Sequence, residues 1–385
     1  MRICDTEKIP IKMWLEDIEE GAMGQLRNLA NLPFAFKHIA VMPDSHLGYG
    51  MPIGGVLATK GMILPNAVGV DIGCGMCVMR SSLESLERET LKKILGEIKA
   101  AVPVGFNHHK NRQDDANMPG KSFPKGVVCE REYRSAIFQV GTLGGGNHFI
   151  EVQKGSDGAL WIMVHSGSRN LGKQVADHYN RIAMRLNAKW HSPVPPEHQL
   201  AYLTEESEEG QAYIQEMNYC VEFAFKNRKL MMERIGECFL RHTGCSFEPL
   251  INIAHNYARK EHHFGEDVWV HRKGATSAKK GEAGIIPGSQ GASSYLVRGK
   301  GNPESFESCS HGAGRRMGRK QAERTLDLKE EIRKMDEQGI VHGIRSAHEL
   351  DEAPGAYKDI AEVMKNQSDL VEIWVELSPL GVVKG

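Results

Sequence analysis

Leu160-Trp161-Ile162-Met163-Val164-His165-Ser166-Gly167-Ser168-Arg169 opens with five apolar residues that read as a buried strand, and the strand delivers a histidine and a loop of small residues at its end. A helical pattern follows from Lys173 to Trp190. On either side the same mixture recurs. Strands are predicted at His38–Met42, Met76–Arg80, Ala136–Val140, His148–Val152, Val268–Arg272, Ser294–Arg298 and Val371–Leu377. Helices are predicted at Ser85–Ala100, Glu206–Arg241 and Arg319–Gln338. In the long one, Ile214, Met217, Val221, Phe225, Met232 and Ile235 recur at mostly helical spacing and form an apolar stripe suited to core packing. Strands and helices do not alternate as a doubly wound sheet requires, and no repeat stands out. The expected fold is α+β, with a mixed or largely antiparallel sheet surrounded by helices. No Pro/Ser-rich linker or charge block divides the chain, so residues 1–385 are expected to form one large domain.

The end of the first strand is not the only place where a histidine meets glycine. Gly144-Gly145-Gly146-Asn147-His148-Phe149-Ile150-Glu151 runs from a flexible turn into an apolar segment that His148 begins. Ala254-His255-Asn256-Tyr257 is expected to precede a helical turn, with His262 and His263 beyond it, and Cys309-Ser310-His311-Gly312-Ala313-Gly314-Arg315 repeats the theme. Val70-Asp71-Ile72-Gly73-Cys74-Gly75 sets a carboxylate and a thiol three residues apart between glycines. Glycine permits backbone conformations that let Asp71 and Cys74 point at one centre, and a thiolate can bridge two cations. The same loop also suits a tight turn around a structural cysteine. Each histidine alone fits a core or surface role, whereas several at glycine-flanked strand ends point to a metal centre or catalysis.

Composition is that of an ordinary globular protein, 41% hydrophobic and 25% charged. The N-terminus lacks a basic region, apolar run and cleavage site, and no window is apolar enough to span a bilayer, so a cytoplasmic protein without membrane contact is expected. The eight cysteines are scattered; Cys74 and Cys77 form one C-x-x-C without a second pair, which reads as incidental, and reduced thiols are expected. Net charge is −1, yet between His271 and Lys320 ten Lys/Arg face three acids, in a stretch rich in glycine. That mixture suits phosphate binding, and it equally suits a solvated loop. The common nucleotide motifs G-x-x-x-x-G-K-[ST], a helix-opening G-x-G-x-x-G and K-x-D-G are missing. Ile286-Pro287-Gly288-Ser289-Gln290-Gly291-Ala292-Ser293-Ser294 could cradle a nucleotide or form a plain turn.

Taken together, Pro43-Asp44-Ser45-His46-Leu47-Gly48, Gly69 to Gly75, Gly146 to Glu151, His165 to Arg169, His255-Asn256-Tyr257, Arg272-Lys273-Gly274-Ala275, Pro287-Gly288-Ser289, Ser310 to Arg315 and the closing Val383-Lys384-Gly385 resemble the RtcB family of RNA ligases, in family order from near residue 38 onward. The resemblance implies a manganese- and GTP-dependent enzyme that joins an RNA 3′-phosphate or 2′,3′-cyclic phosphate to a 5′-hydroxyl, the repair chemistry of tRNA splicing. It implies that Asp71, Cys74 and His148 hold one Mn2+ and that Cys74, His165 and His255 hold another, with Cys74 bridging. It implies further that His311 is the histidine that carries GMP. By the same resemblance Asn147, His148, Phe149, Ile150, Glu151, His255, Asn256, Pro287, Gly288, Ser289, Gln290, Ser294, His311, Gly312, Ala313, Gly314 and Lys384 are expected to surround GTP, with Glu151 and Lys384 reading guanine. Lys273, Arg169 and Arg315 are implied contacts for RNA phosphates, and a small activator protein of the archease type is an implied partner. His46, His262 and His263 are placed near the pocket without a role. Asn170 departs from the glycine expected after Arg169, and Phe106 to Cys129 diverges, as does the stretch after Trp190, which suggests a specialised RNA-end preference. A dinuclear metal-dependent RNA-end phosphatase or cyclic phosphodiesterase would use the same metal ligands, and a non-catalytic RNA-binding protein would use the Arg272 to Lys320 region. Neither needs the His311 loop or the guanine contacts.

Overall fold

The computed structural model describes residues 1–120, 123 and 126–385, so part of the divergent stretch Phe106 to Cys129 lies outside the described residues. Two sheets organise it. One has six strands in the order Arg2–Cys4, Ile11–Met13, Ala35–Tyr49, Met51–Thr59, Glu266–Lys273 and Asn256–His263. The other has seven, in the order Ile251–Ala254, Gly75–Arg80, Leu160–Ser166, Phe149–Gly155, Val371–Lys384, Ser294–Gly299 and Ala283–Ile286. Ile11–Met13 pairs in parallel with Ala35–Tyr49, and the other neighbours within these sheets run antiparallel. This is the mixed α+β architecture that the sequence pattern implied.

Period-2 alternation explains why both faces of each sheet are covered. In the strand Ala35–Tyr49, Ile39 and Val41 pack with the helix Glu20–Ala30, while Ala40 and Met42 face a second core that includes Ile286, Tyr295 and Val297 of the other sheet. In Leu160–Ser166, Ile162 and Val164 join the helix Arg88–Ala101 and the long helix, whereas Trp161 and Met163 face Ile285, Leu296 and Val375. The two sheets therefore meet through apolar side chains rather than through a linker. Ala254 ends a strand of one sheet and Asn256 starts a strand of the other, so His255 alone makes the crossing.

The long helix spans Glu208–Thr243. Ser207 caps its start by accepting from the Gly210 N–H, acids occupy its first turn, Arg241 and His242 its last, and Gly244 ends it at a φ of 64°. Its buried face keeps Met217, Met232 and Ile235 of the expected stripe and adds Tyr213, Cys220, Phe223, Asn227 and Arg228, while Ile214, Val221 and Phe225 lie at the margin. Buried polar side chains blurred the apolar pattern, because Asn227 and Arg228 face inward for hydrogen bonding.

Three further expectations are corrected. Ala136–Val140 is not a strand; the helix Val128–Ala136 ends there and turns follow, with Ile137 and Val140 in a helical core. A short apolar run cannot tell a strand from the end of a buried helix. The residues after His255 are not a helical turn but the strand Asn256–His263, which pairs residue for residue with Glu266–Lys273 across a turn at Gly265, φ 82°. Arg319–Gln338 splits into Arg319–Thr325 and Leu328–Glu337, the second helix capped by Asp327, whose side chain accepts from the Glu330 N–H. No described helix is long and apolar enough to cross a membrane.

Candidate active site and metal centre

The loop after Val70 folds back on itself because Gly73 adopts a φ of 75°, where a Cβ would lie 2.8 Å from the Val221 Cα of the long helix. Its Gly73 N–H donates to the Asn256 carbonyl at 2.7 Å, and Cys74 N–H donates to the Asp71 carbonyl at 3.1 Å. From the other side, His255 N–H donates to the Cys74 carbonyl at 2.8 Å. The fully buried Arg228 supplies the remaining clamp: one guanidinium nitrogen donates to the carbonyls of Gly73 at 2.9 Å and Ser166 at 2.8 Å, next in sequence to Cys74 and His165. Asn227 does the same for the glycine turn, accepting from the N–H groups of Gly141 and Thr142. Neither residue carries a sequence signal, since each looks like an interruption of an apolar helix face.

These constraints converge four side chains. Cys74 Sγ lies 3.4 Å from His148 Nε2 and 3.4 Å from His165 Nε2, and His148 Nε2 lies 3.1 Å from an Asp71 carboxylate oxygen. Cys74, His148 and His165 are buried with their donor atoms within 4.8 Å of one another. His148 Nδ1 lies 2.9 Å from the Leu143 carbonyl and His165 Nδ1 lies 3.0 Å from the Asn147 carbonyl. A carbonyl can only accept, so each Nδ1 bears the proton and each Nε2 turns a lone pair toward the sulfur. The His255 ring is 5.2 Å from His165, and its Nδ1 is buried without a partner among the described residues. Lone pairs, a sulfur and a carboxylate gathered without a shared proton fit a bound cation. A second group, Glu261, His263 and Glu307, also has cation-ligand geometry, but its Glu261 is already held by the buried Arg272 guanidinium at 2.5 and 3.0 Å.

Electrostatics at this cluster follow from burial. Burial by itself raises the Asp71 carboxyl, but whenever His148 carries a second proton, on Nε2, its hydrogen bond and charge outweigh burial, with help from Cys74 and Arg169, and hold the carboxyl at about 2. Burial pushes the Cys74 thiol well up, the Asp71 carboxylate adds to this, and Arg228 opposes it. Burial also drives His165 and His255 well below the usual histidine range, so both rings are neutral and keep a lone pair that could serve a cation.

His311 stands 4.8 Å from His255, ring to ring. It is placed by the short strand Ser308–Ser310 and by Asp44, a buried residue of the six-stranded sheet. One Asp44 oxygen accepts from His311 Nδ1 at 2.6 Å, from the His311 N–H at 3.0 Å and from the Gly312 N–H at 3.3 Å. The proton therefore stays on Nδ1 and Nε2 is free to act as a nucleophile. The sequence showed Asp44 as part of a motif but gave no hint of this pairing.

A cavity of about 610 Å3 opens beside His311, within the size range of small-molecule sites. Of the expected nucleotide contacts, Asn147, Phe149, Glu151, Pro287, Gly288, Ser289, Gln290, His311, Gly312, Ala313, Gly314 and Lys384 line it. His148, Ile150, His255, Asn256 and Ser294 do not. Ile150 turns its side chain into the core beside Val152, as alternation with Phe149 and Glu151 demands. Asn256 instead ties the metal loop to the Gly274 N–H, and Ser294 braces Gly288 and Gln153 from behind. His46, expected near the pocket without a role, is part of the lining, and unforeseen members include Ile18, Glu19, Tyr357 and Lys358.

Of the residues marked for RNA phosphates, Arg315 lines the cavity, held by Glu352 at 2.9 Å. Arg169 is largely enclosed, 3.2 Å from both the Thr142 hydroxyl and the Gly105 carbonyl. Lys273 is buried, donates to the carbonyls of Tyr49 and Asn66, and is lowered by burial to about 7. Asn170 sits exposed in the first turn of the helix Arg169–Lys189, its N–H on Gln139. His262 and His263 pair with Asp267 and Glu261 at the far end of their hairpin, outside the cavity lining. Cys77 packs into the core, so the two cysteines of the C-x-x-C do not share a centre, and all eight cysteines are free.

The family model described as tRNA-splicing ligase RtcB matches residues 25–127 and 114–385. The chain is similar to the RNA-splicing ligase RtcB of Escherichia coli (strain K12), 41% identical over 408 residues that cover 100% of this chain and 99% of that protein. It is also similar to the tRNA-splicing ligase RtcB of Thermococcus kodakarensis, 32% identical across 95% of this chain and 92% of that protein. The RNA-splicing ligase RtcB of Mycobacterium tuberculosis is 32% identical, across 94% of this chain and 100% of that protein.

Proposed function

The chain belongs to the RtcB family and is an RNA ligase of RNA repair and splicing; we propose that it joins RNA 3′-phosphate or 2′,3′-cyclic phosphate ends to 5′-hydroxyl ends, with GMP carried in transit on His311. The observation that carries this reading is the Asp44–His311 pair at 2.6 Å, opening on a cavity beside the candidate metal cluster. Because Asp44 keeps the proton on Nδ1, His311 Nε2 can attack the α-phosphate of GTP. A nitrogen–phosphorus bond forms, the bond to the bridging oxygen breaks, and pyrophosphate leaves. The phosphoramidate then yields GMP to the RNA 3′-phosphate, and the 5′-hydroxyl displaces GMP to seal the strand.

Asp71, Cys74 and His148 would hold one Mn2+, and Cys74, His165 and His255 a second. Mixed carboxylate, thiolate and imidazole donors suit a borderline transition metal better than magnesium, which prefers oxygen. Bound there, the ions would supply charge neutralisation on the transferring phosphate and a means of opening a cyclic phosphate. Glu151 and Lys384 would select guanine, and Pro287 to Gln290 with Gly312 to Gly314 would cradle the rest of the nucleotide. Residues 1–385 act as one catalytic unit, since Asp44 comes from one sheet and Cys74 from the loop that leads into an inner strand of the other, and the proposed place of work is the cytoplasm. An archease-type activator is a further proposed partner.

Incubation with labelled GTP and Mn2+ should leave a GMP adduct on the wild-type protein, and His311→Ala should abolish both the adduct and the sealing of 3′-phosphate to 5′-hydroxyl RNA. Sealing by His311→Ala at wild-type rate would remove the histidine carrier, and release of phosphate without any adduct would favour an RNA-end phosphatase.

A further inference from the structure

His46 faces the same cavity as His311 and is not among the residues that ligate a metal or carry GMP in the reading above. It lies directly across the sheet from Ile53, and Ile53 and His311 flank the same spot: a Cβ on Gly274 would be 2.3 Å from Ile53 Cγ2 and 3.0 Å from His311 Cε1. Both imidazoles are oriented by one residue. The Asp44 carboxylate holds His311, and the Asp44 carbonyl sits 3.1 Å from His46 Nδ1. A carbonyl cannot donate, so His46 carries its proton on Nδ1 and presents a bare Nε2, which has no hydrogen-bond partner among the described residues. It is half-buried, with Leu47 and Glu19 beside it in the lining.

Resting on the ligation reading, we propose that His46 is the general base of the sealing step, taking the proton of the RNA 5′-hydroxyl as that oxygen attacks the activated 3′-phosphorus. The O–H bond gives its proton to His46 Nε2, the new O5′–phosphorus bond forms, and the bond to GMP breaks with its electron pair leaving on the GMP phosphate. Displacement at phosphorus sets the attacking and departing oxygens in line on opposite sides. The imidazole that delivers GMP is therefore poorly placed to receive the incoming hydroxyl proton, and a second imidazole answers that need.

The surroundings agree with a base rather than a phosphate anchor. Burial lowers His46 to about 4, the Asp44 carbonyl and carboxylate raise it, and His311 and Lys358 lower it further, so the ring is neutral in the free protein. Lys358 is fixed nearby on the carbonyls of Pro43 and Ser45. Arrival of the RNA and GMP phosphates adds negative charge, which favours the imidazolium and brings its basicity toward the working range.

The test separates the three steps with one RNA bearing a 3′-phosphate, a second bearing a 5′-hydroxyl, GTP and Mn2+. His46→Asn preserves a donor toward the Asp44 carbonyl without supplying a base. It should form the GMP adduct and guanylylate the RNA 3′-phosphate at wild-type rate, accumulate that activated RNA, and seal it at least about 100-fold more slowly. In His46→Gly, added imidazole should restore part of the sealing. Sealing by His46→Asn within about threefold of wild type overturns the proposal, since a working base is worth far more. Loss of adduct formation in step with sealing also overturns it, because His46 would then only hold Asp44. A wild-type protein that forms no adduct would bring down the ligation reading itself, and is seen before any variant is made.

Discussion

Burial lifts the Glu151 carboxyl to about 8, against the opposing pull of the Gln153 amide and the Lys384 ammonium, so in the free protein at neutral pH much of it is protonated. Guanine offers a ring N–H and an amino group, a pair that an ionised carboxylate accepts and a neutral acid does not. GTP binding should therefore expel a proton. Affinity is expected to rise roughly tenfold per pH unit on approach to about 8 and then level off. Calorimetric titration across that range checks the slope, and Glu151→Gln should flatten it while narrowing the preference for GTP over ATP. Individual residues were readable in the sequence where glycine framed them, as with Cys74, His148, His165, His255 and His311. Asp44 and Arg228 were not. A carboxylate that meets its histidine across 267 positions, or a guanidinium that meets backbone carbonyls, leaves no local trace.

Elements were legible where alternation was strict and were lost where chemistry broke it. Strands such as Leu160–Ser166 extend little beyond their apolar runs, yet Ala35–Tyr49 continues well past His38–Met42 because its later residues, Asp44 and His46 included, serve the cavity instead of the core. Of the hairpin Asn256–His263 with Glu266–Lys273, the second strand was expected at Val268–Arg272 and the first was missed for the same reason: the buried positions of the pair include Glu261, His263, Arg272 and Lys273. Arg272, counted from sequence among a basic cluster, is buried and paired at both nitrogens with Glu261. Burial by itself would raise Glu261, but Arg272 and His263 outweigh it and hold its carboxyl far below the usual range, so the pair is intact at neutral pH and is lost only as acid protonates it. Glu261→Gln leaves a buried cation half-matched. Unfolding by denaturant should show a loss of about 3–5 kcal/mol, while an exposed pair such as Lys60 with Glu266 at the same hairpin should lose under about 1 kcal/mol when broken. Equal small losses at both sites would show that Arg272 finds another partner.

At the scale of the whole molecule the candidate centre is a junction. Asp71, Cys74, His148 and His165 cluster at the end of the seven-stranded sheet, Asp44 comes from the six-stranded sheet, and His255 spans the two. Ions bound there would engage the folded chain alone. Mn2+ at about one hundred times its dissociation constant should add about 2.7 kcal/mol, seen as a rise of a few degrees in Tm. His255→Ala should shrink that rise even if its own metal-free Tm is lower; an undiminished shift would place the ions elsewhere. This arrangement was the least legible level, since alternation predicts strands but not which sheet each joins. The single-residue crossing at His255 also tells a protein engineer where the chain will accept a graft. A fluorescent reporter or affinity handle spliced between Ala254 and Asn256 would uncouple the halves, whereas Gly265, with open space around it at the tip of the very same hairpin, is the milder point of attachment so long as Phe264 keeps its packing against Phe36, His38 and Phe306.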